Sequence, residues 1–356
     1  MVTLIHSNKN YKCKKEEVLS IIKPEIITES FSRISHYIHN TPLLYSETLN
    51  KMLRSKVHFK MDALQKTGSF KLRGVLNHLL SFKEQYGRLP EKIVAYSTGN
   101  HALAMAYSAK LFGIHARVYL PQNVSPIKKR IAKYYGAEVM EVETRQIAED
   151  LSKNDGKNGF HYLHPSDDDQ TIAGAGTMAY EALINMKQRG IGFPDAIFAS
   201  CGGGGLLAGT YLAKEVLSPE TKVIGAEPEW ANDAFTSLKL GEISRFAESP
   251  KTIADGLRTL GISERTFNYL KKIDGLFTYS EEEIYYWTAW LIQTTKVTCE
   301  PSAAISMAAA HDWLKKNGPN KNILVMISGG NIDPNFYSEL WAKDYLKILP
   351  ENPEKT

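Results

Sequence analysis

The chain has 356 residues, 43% of them apolar and 23% charged, which excludes global disorder, collagen-like sequence and a small disulfide-stapled scaffold. A net charge of +4, scattered along the chain, excludes a charge-based case for nucleic acid or a membrane surface as partner. Cys13, Cys201 and Cys299 are an odd, widely spaced set that predicts a reducing compartment, and the opening MVTLIHSNKNYKCKKEE has no signal-peptide apolar run, so a cytoplasmic protein is expected. At about 150 residues per domain the length predicts two domains. In chain order, residues 66–74 read as a constrained turn entering a helix, and 92–96 as a strand. Residues 102–112 read as a helix with Leu103, Tyr107 and Leu111 four apart, and 116–120 as the next strand. Ser125 as N-cap, Pro126 at the first helical position and Gly136 past the end frame another helix, and 137–142 is a further strand. The polar stretches 150–159 and 166–170 are the expected crossings between domains. Continuous apolar runs at 196–199, 223–226 and 323–327, separated by helices, predict an α/β fold with parallel sheets covered on both faces. Residues 196–213 carry no charge, but four successive glycines at their centre exclude a spanning helix and favour strand, turn, helix.

That glycine turn, Gly202, Gly203, Gly204 and Gly205, lets backbone amides and the start of the next helix face an anion, so it reads as a phosphate site. The plainer alternative is a turn needed only for packing. Gly203-x-Gly205-x-x-Ala208, with Glu227 ending the next strand, also fits the loose dinucleotide pattern, which keeps a nicotinamide dehydrogenase open. No Gly-Lys-Ser/Thr follows the glycines, and neither a His-Glu-x-x-His nor a Gly-x-Ser-x-Gly motif occurs. In Lys66-Thr67-Gly68-Ser69-Phe70-Lys71-Leu72-Arg73-Gly74, Lys71 falls near a helix start, where the dipole favours a neutral, nucleophilic amine. A solvated surface lysine is the alternative on spacing alone.

This lysine segment resembles that of the tryptophan-synthase-β-like, fold-type II pyridoxal-phosphate enzymes, within them the threonine/serine dehydratase and serine racemase group. The resemblance runs over roughly residues 41–331 and recurs in order at Ser97-Thr98-Gly99-Asn100-His101, the four glycines, Glu300-Pro301-Ser302-Ala303 and Ser328-Gly329-Gly330-Asn331. It implies two parallel-sheet α/β domains with the cofactor in the cleft between them: 1–82 with 169–356 as the large domain, and 90–166 as a small inserted one. It implies that Lys71 holds pyridoxal phosphate covalently, Phe70 packs beside it, Gly202 to Gly205 take its phosphate, Asn100 meets its ring oxygen and Ser328 faces its ring nitrogen. Ser97, Thr98, Gly99, Asn100 and His101 would bind the substrate carboxylate, although an ordinary helix start capped by Ser97 or Thr98 is compatible with that. A neutral hydroxyl opposite the ring nitrogen suits elimination, which asks less carbanion stabilisation than an aspartate partner would provide.

Glu227, Ala231 and Asp233 resemble the divalent-cation site of the racemase branch, two carboxylates and a carbonyl for Mg²⁺ or Ca²⁺. The alternative is that Asp233 caps a helix and Glu227 is a solvated strand end. Thr98 stands where racemases carry the serine that handles the Cα proton opposite the lysine, and Ser166 where that branch has an asparagine. Arg145 matches an arginine near the substrate entrance, or is a solvated helix residue; Lys128-Lys129-Arg130 reads as a solvated helix face. The expected activity is elimination from L-threonine, L-serine or a related β-hydroxy amino acid to a 2-oxo acid and ammonia, with Lys71 taking the Cα proton. A racemase with side elimination is the nearest rival. The expected partners are the amino-acid substrate and a second copy in a homodimer, with no nucleic acid and no membrane. About 25 residues follow Asn331, too few for an appended regulatory domain.

Overall fold

Apolar residues on both sides of each central strand dictate a sheet that must be covered twice, and the computed structural model, which describes residues 22–351 apart from 98, has that form. Cys13 and Thr98 lie outside the described residues. The strands are β1 (Leu43–Tyr45), β2 (Lys56–Met61), β3 (Lys92–Tyr96), β4 (His115–Pro121), β5 (Glu138–Val142), β6 (His161–Tyr162), β7 (Ala196–Ser200), β8 (Lys222–Pro228), β9 (Gly275–Tyr279) and β10 (Asn322–Ile327). They form a six-stranded sheet, β1-β2-β10-β7-β8-β9, and a four-stranded sheet, β5-β4-β3-β6. Of these strands only β1 runs antiparallel to its neighbour.

Strand β10 shows why the runs are continuous. Ile323, Val325 and Ile327 enter the core on one face with Phe59, Phe198 and Trp313, while Leu324 and Met326 enter the other with Ile197, Ala199 and Leu207. A third core, around Leu72, Leu76, Ile93, Val118 and Leu103, joins the helix Lys71–Tyr86 to the small sheet. No helix among the described residues is long and apolar enough to cross a membrane.

Two expectations are corrected. Residues 150–159 are no crossing: most belong to the helix Arg145–Lys157, which packs on β3, β4 and β6 through a buried Ala148 and Ser152 and is polar only on its outer side. The chain leaves the small sheet after β6 instead, and there His78 is bonded to Asp168 (Nδ1···Oδ1, 2.8 Å) and to His161 (Nε2···Nε2, 2.7 Å). The helix Asn100–Phe112 forms as expected; of the residues four apart, Leu103 is buried, Tyr107 packs half-buried on the same core and Leu111 is 46% exposed, while Ala102, Ala104, Met105, Ala106 and Ala109 are also buried. Residues 101–106 are buried without interruption, and the exposed residues lie at its far end, Lys110 and Leu111. Ser125 occupies the N-cap position of Pro126–Tyr134, but its hydroxyl donates to Asp333 at 2.6 Å instead of capping.

Candidate active site

The loop before Lys71 is held by backbone pairing with the chain after β10. Gly68 adopts φ +71° and donates to the Gln65 carbonyl at 2.7 Å, the Phe70 amide donates to the Ser328 carbonyl at 2.9 Å, and the Gly330 amide to the Gly68 carbonyl at 2.9 Å. A Cβ on Gly68 would stand 2.3 Å from Asn331 Oδ1, so both space and conformation demand glycine. Lys71 thereby begins its helix beside Ser328, and its Nζ donates to the Pro165 carbonyl at 2.8 Å. Enclosure, then the Arg145 charge, lower its amine to about 8 against the pull of Glu300. The expected neutral tendency is present, with burial as its main cause.

Across the cavity, β7 runs into the glycine turn and the helix Gly205–Leu217, with Gly204 at φ +81°. A Cβ on Gly203 would stand 2.4 Å from Ser166 Oγ and one on Gly204 2.8 Å from Thr266 Cβ, so the turn is a cradle that side chains would fill. From the small sheet, Ser97 Oγ accepts from the amides of Gly99 (2.9 Å) and Ala102 (3.0 Å), which caps the helix start. Asn100 donates its amide to both oxygens of Glu300 (2.9 and 3.0 Å) and accepts from Asn331 at 3.0 Å. The His101 ring is buried, with Nε2 3.1 Å from the Leu163 carbonyl, and burial followed by the Lys71 charge lowers it to about 3, a neutral ring.

One cavity is lined by Phe70, Lys71, Ser97, Asn100, His101, Arg145, Ser166, Ser328 and all four glycines. Gly99 is buried next to it, between Ser97 and Asn100. Arg145 sits at the rim, donating to the Arg258 carbonyl at 2.9 Å, with its guanidinium 5.2 Å over the Tyr96 ring. Sequence reasoning misses two charged cavity residues. Glu300, quoted above only as part of a motif, is pushed up to about 7 by burial, against the pull of Lys128. Lys128, read as part of a solvated face, is 2% exposed and bonded to Asp255 at 2.6 Å. The signal that could have found it is a lysine in the first turn of a helix, where the dipole opposes it.

Glu227 is fully buried, not a solvated strand end, and its carboxylate accepts from the amides of Ala234 (3.2 Å) and Phe235 (2.8 Å) at the start of Asp233–Leu240. It is therefore turned away from the dinucleotide role. Asp233 accepts from Thr259 at 3.2 Å through Oδ1, while its buried Oδ2 has no partner among the described residues; Ala231 is buried beside it in sequence. Burial first, then Asp233, raises Glu227, and burial raises Asp233 to about 7. Two buried carboxylates with an orphaned oxygen fit a hard cation, although no cluster of three acidic, histidine or cysteine ligands occurs among the described residues.

A lysine amine, a glycine cradle for phosphate and a hydroxyl at a strand end fit the pyridoxal-phosphate group. The comparisons agree. The chain is 35% identical over 321 residues to L-threo-3-hydroxyaspartate ammonia-lyase of Saccharomyces cerevisiae, covering 88% of this chain and 94% of that one. It is 34% identical to serine racemase of Dictyostelium discoideum, covering 91% and 99%. The crystal structure of the T.th. threonine deaminase is 39% identical and superposes with a TM-score of 0.81 over 88% of this chain and 99% of that one. Residues 34–329 match the model of the pyridoxal-phosphate-dependent enzymes, and the chain belongs to that family, with a fold-type II α/β architecture.

Proposed function

We propose that the protein is an ammonia-lyase that removes the β-hydroxyl and Cα proton of L-threonine, L-serine or a related β-hydroxy amino acid, yielding a 2-oxo acid and ammonia. The observation that carries the reading is that Lys71 shares one cavity with the four glycines, Ser97, Asn100, His101 and Ser328, where burial lowers its amine to about 8. Bound there, pyridoxal phosphate supplies the electron sink that acidifies Cα. Gly202 to Gly205 would hold its phosphate, Phe70 and Asn100 its ring, and Ser328 would offer the ring nitrogen a neutral hydroxyl. Lys71 Nζ would be the base that takes the Cα proton. Ser97, Gly99, Asn100 and His101 form the carboxylate-binding loop, and Ser166 closes the cavity against Gly203. Arg145 at the rim favours substrates carrying a second carboxylate on the side chain, as the name of the yeast relative suggests. Interconversion of serine enantiomers is the second reading, supported by the racemase relative.

Borohydride should abolish a near-visible absorption band and leave Lys71 labelled. Assay of 2-oxo acid release should find turnover within a panel of threonine, serine and 3-hydroxyaspartate stereoisomers. Release from none of them, or serine racemisation outpacing elimination, would sink the ammonia-lyase reading. We also take Glu227, Ala231 and Asp233 to hold Mg²⁺ or Ca²⁺ as a structural ion, residues 90–166 to form an inserted domain, and the working form to be a cytoplasmic homodimer. EDTA is expected to lower the melting temperature, restored by Mg²⁺ or Ca²⁺; an unchanged melting curve in EDTA counts against the cation.

A further inference from the structure

Lys128 is the third residue of the helix Pro126–Tyr134. A cation there meets the positive end of the helix dipole, and this one is also buried, so neither local stability nor solvation explains it. Its neighbours behave otherwise: Lys129 bonds to the Gln122 carbonyl and Glu141 on the exposed side, and Arg130 is exposed. The Lys128 stem instead crosses the substrate loop at Gly99. A Cβ on that residue, which has φ +138°, would stand 2.3 Å from Lys128 Cδ. The loop thus lacks a side chain at the point where the lysine passes.

Lys128 lines the cavity that holds Lys71, Asn100 and Glu300, and its ammonium donates to Asp255 Oδ2 at 2.6 Å. Burial works against its charge, but Asp255 and then Glu300 raise its pKa, so it stays a cation. The Asp255 side chain keeps 29% of its surface in solvent, so losing the lysine would not strand it as a buried, unpaired acid.

We infer that Lys128 is a carboxylate-binding residue: its ammonium receives the α-carboxylate of the amino acid beside Gly99 and Asn100, exchanging its ion pair with Asp255 for that contact. The inference rests on the proposed function only in taking an amino acid as the ligand.

Binding of L-alanine and of L-alaninamide to the cofactor-loaded protein, measured by calorimetry, tests it without turnover. Lys128→Met is expected to weaken L-alanine binding about 10- to 100-fold, the range of a charge-assisted hydrogen bond, while L-alaninamide binding changes little. The preference for acid over amide should therefore collapse, a signature that loss of packing alone would not produce. Lys128→Arg should restore much of that preference. Asp255→Asn should leave L-alanine binding equal or tighter, because it frees the ammonium. An unchanged acid-to-amide preference in Lys128→Met overturns the inference. So does a loss in Asp255→Asn matching that in Lys128→Met, which would make the pair a structural brace and decides the matter should the methionine variant not fold. If the wild type binds L-alanine but eliminates no β-hydroxy amino acid, the ammonia-lyase reading fails while these binding data still decide the role of Lys128.

Discussion

Lys71→Ala is expected to lower turnover of the best β-hydroxy amino acid by at least about a thousandfold, the scale of losing a positioned general base together with the cofactor's anchor. The fold should survive the change. Lys71 is the first residue of its helix, its side-chain hydrogen bond goes to the Pro165 carbonyl, and the loop before it is held by backbone pairing with 328–330. A melting temperature close to wild type, with the near-visible band gone and the cofactor removable by dialysis, is therefore the expected combination. Wild-type turnover in this variant would remove Lys71 from the chemistry.

Two residues further along the same motif, Arg73→Met is expected to be the most destabilising change near the site. The Arg73 guanidinium is fully buried and bonds Asp62 through Nε (2.6 Å) and Nη2 (2.9 Å), and Glu181 through Nη1 and Nη2 (both 3.1 Å). Lys60 also donates to Glu181, so two cations and two carboxylates balance in a buried cluster. Removing one cation leaves a carboxylate uncompensated, a loss of about 3–5 kcal/mol, a large part of an ordinary domain's stability. Urea denaturation should register it as a lower midpoint, with Arg73→Lys less severe because charge is kept while the planar fork is lost. A stability within about 0.5 kcal/mol of wild type would show that the cluster contributes little.

The part of this protein legible in its sequence is the part encoded over short stretches. Continuous apolar runs foretold the central strands because burial on both faces of a parallel sheet removes the usual alternation. The four glycines foretold a turn without side chains, and there a Cβ on Gly203 or Gly204 would collide with Ser166 or Thr266. The lysine motif, the 97–101 segment and Ser328 could be joined into one site only through the family resemblance, and the fold brings Phe70, Lys71, Ser97, Asn100, His101 and Ser328 to one cavity. What stayed hidden depends on partners far away in the chain. Lys128 looks like one of three solvated cations until Gly99, 29 positions earlier, and Asp255, 127 positions later, are brought to it. Glu300 becomes a site residue only when Asn100 meets it across 200 positions. Arg73, which the motif names without a role, becomes part of a buried ion cluster only when Glu181 closes around it. The polar stretch 150–159 reads as a linker because composition reports solvent on one side of a helix and cannot report the sheet on the other. Local sequence therefore determined strands and turns, through periodicity and backbone freedom, while the lysine stood out only through the resemblance. Which charges are buried, and hence which are available to a ligand, was decided only by the tertiary structure, because desolvation and pairing depend on what the fold places around each group.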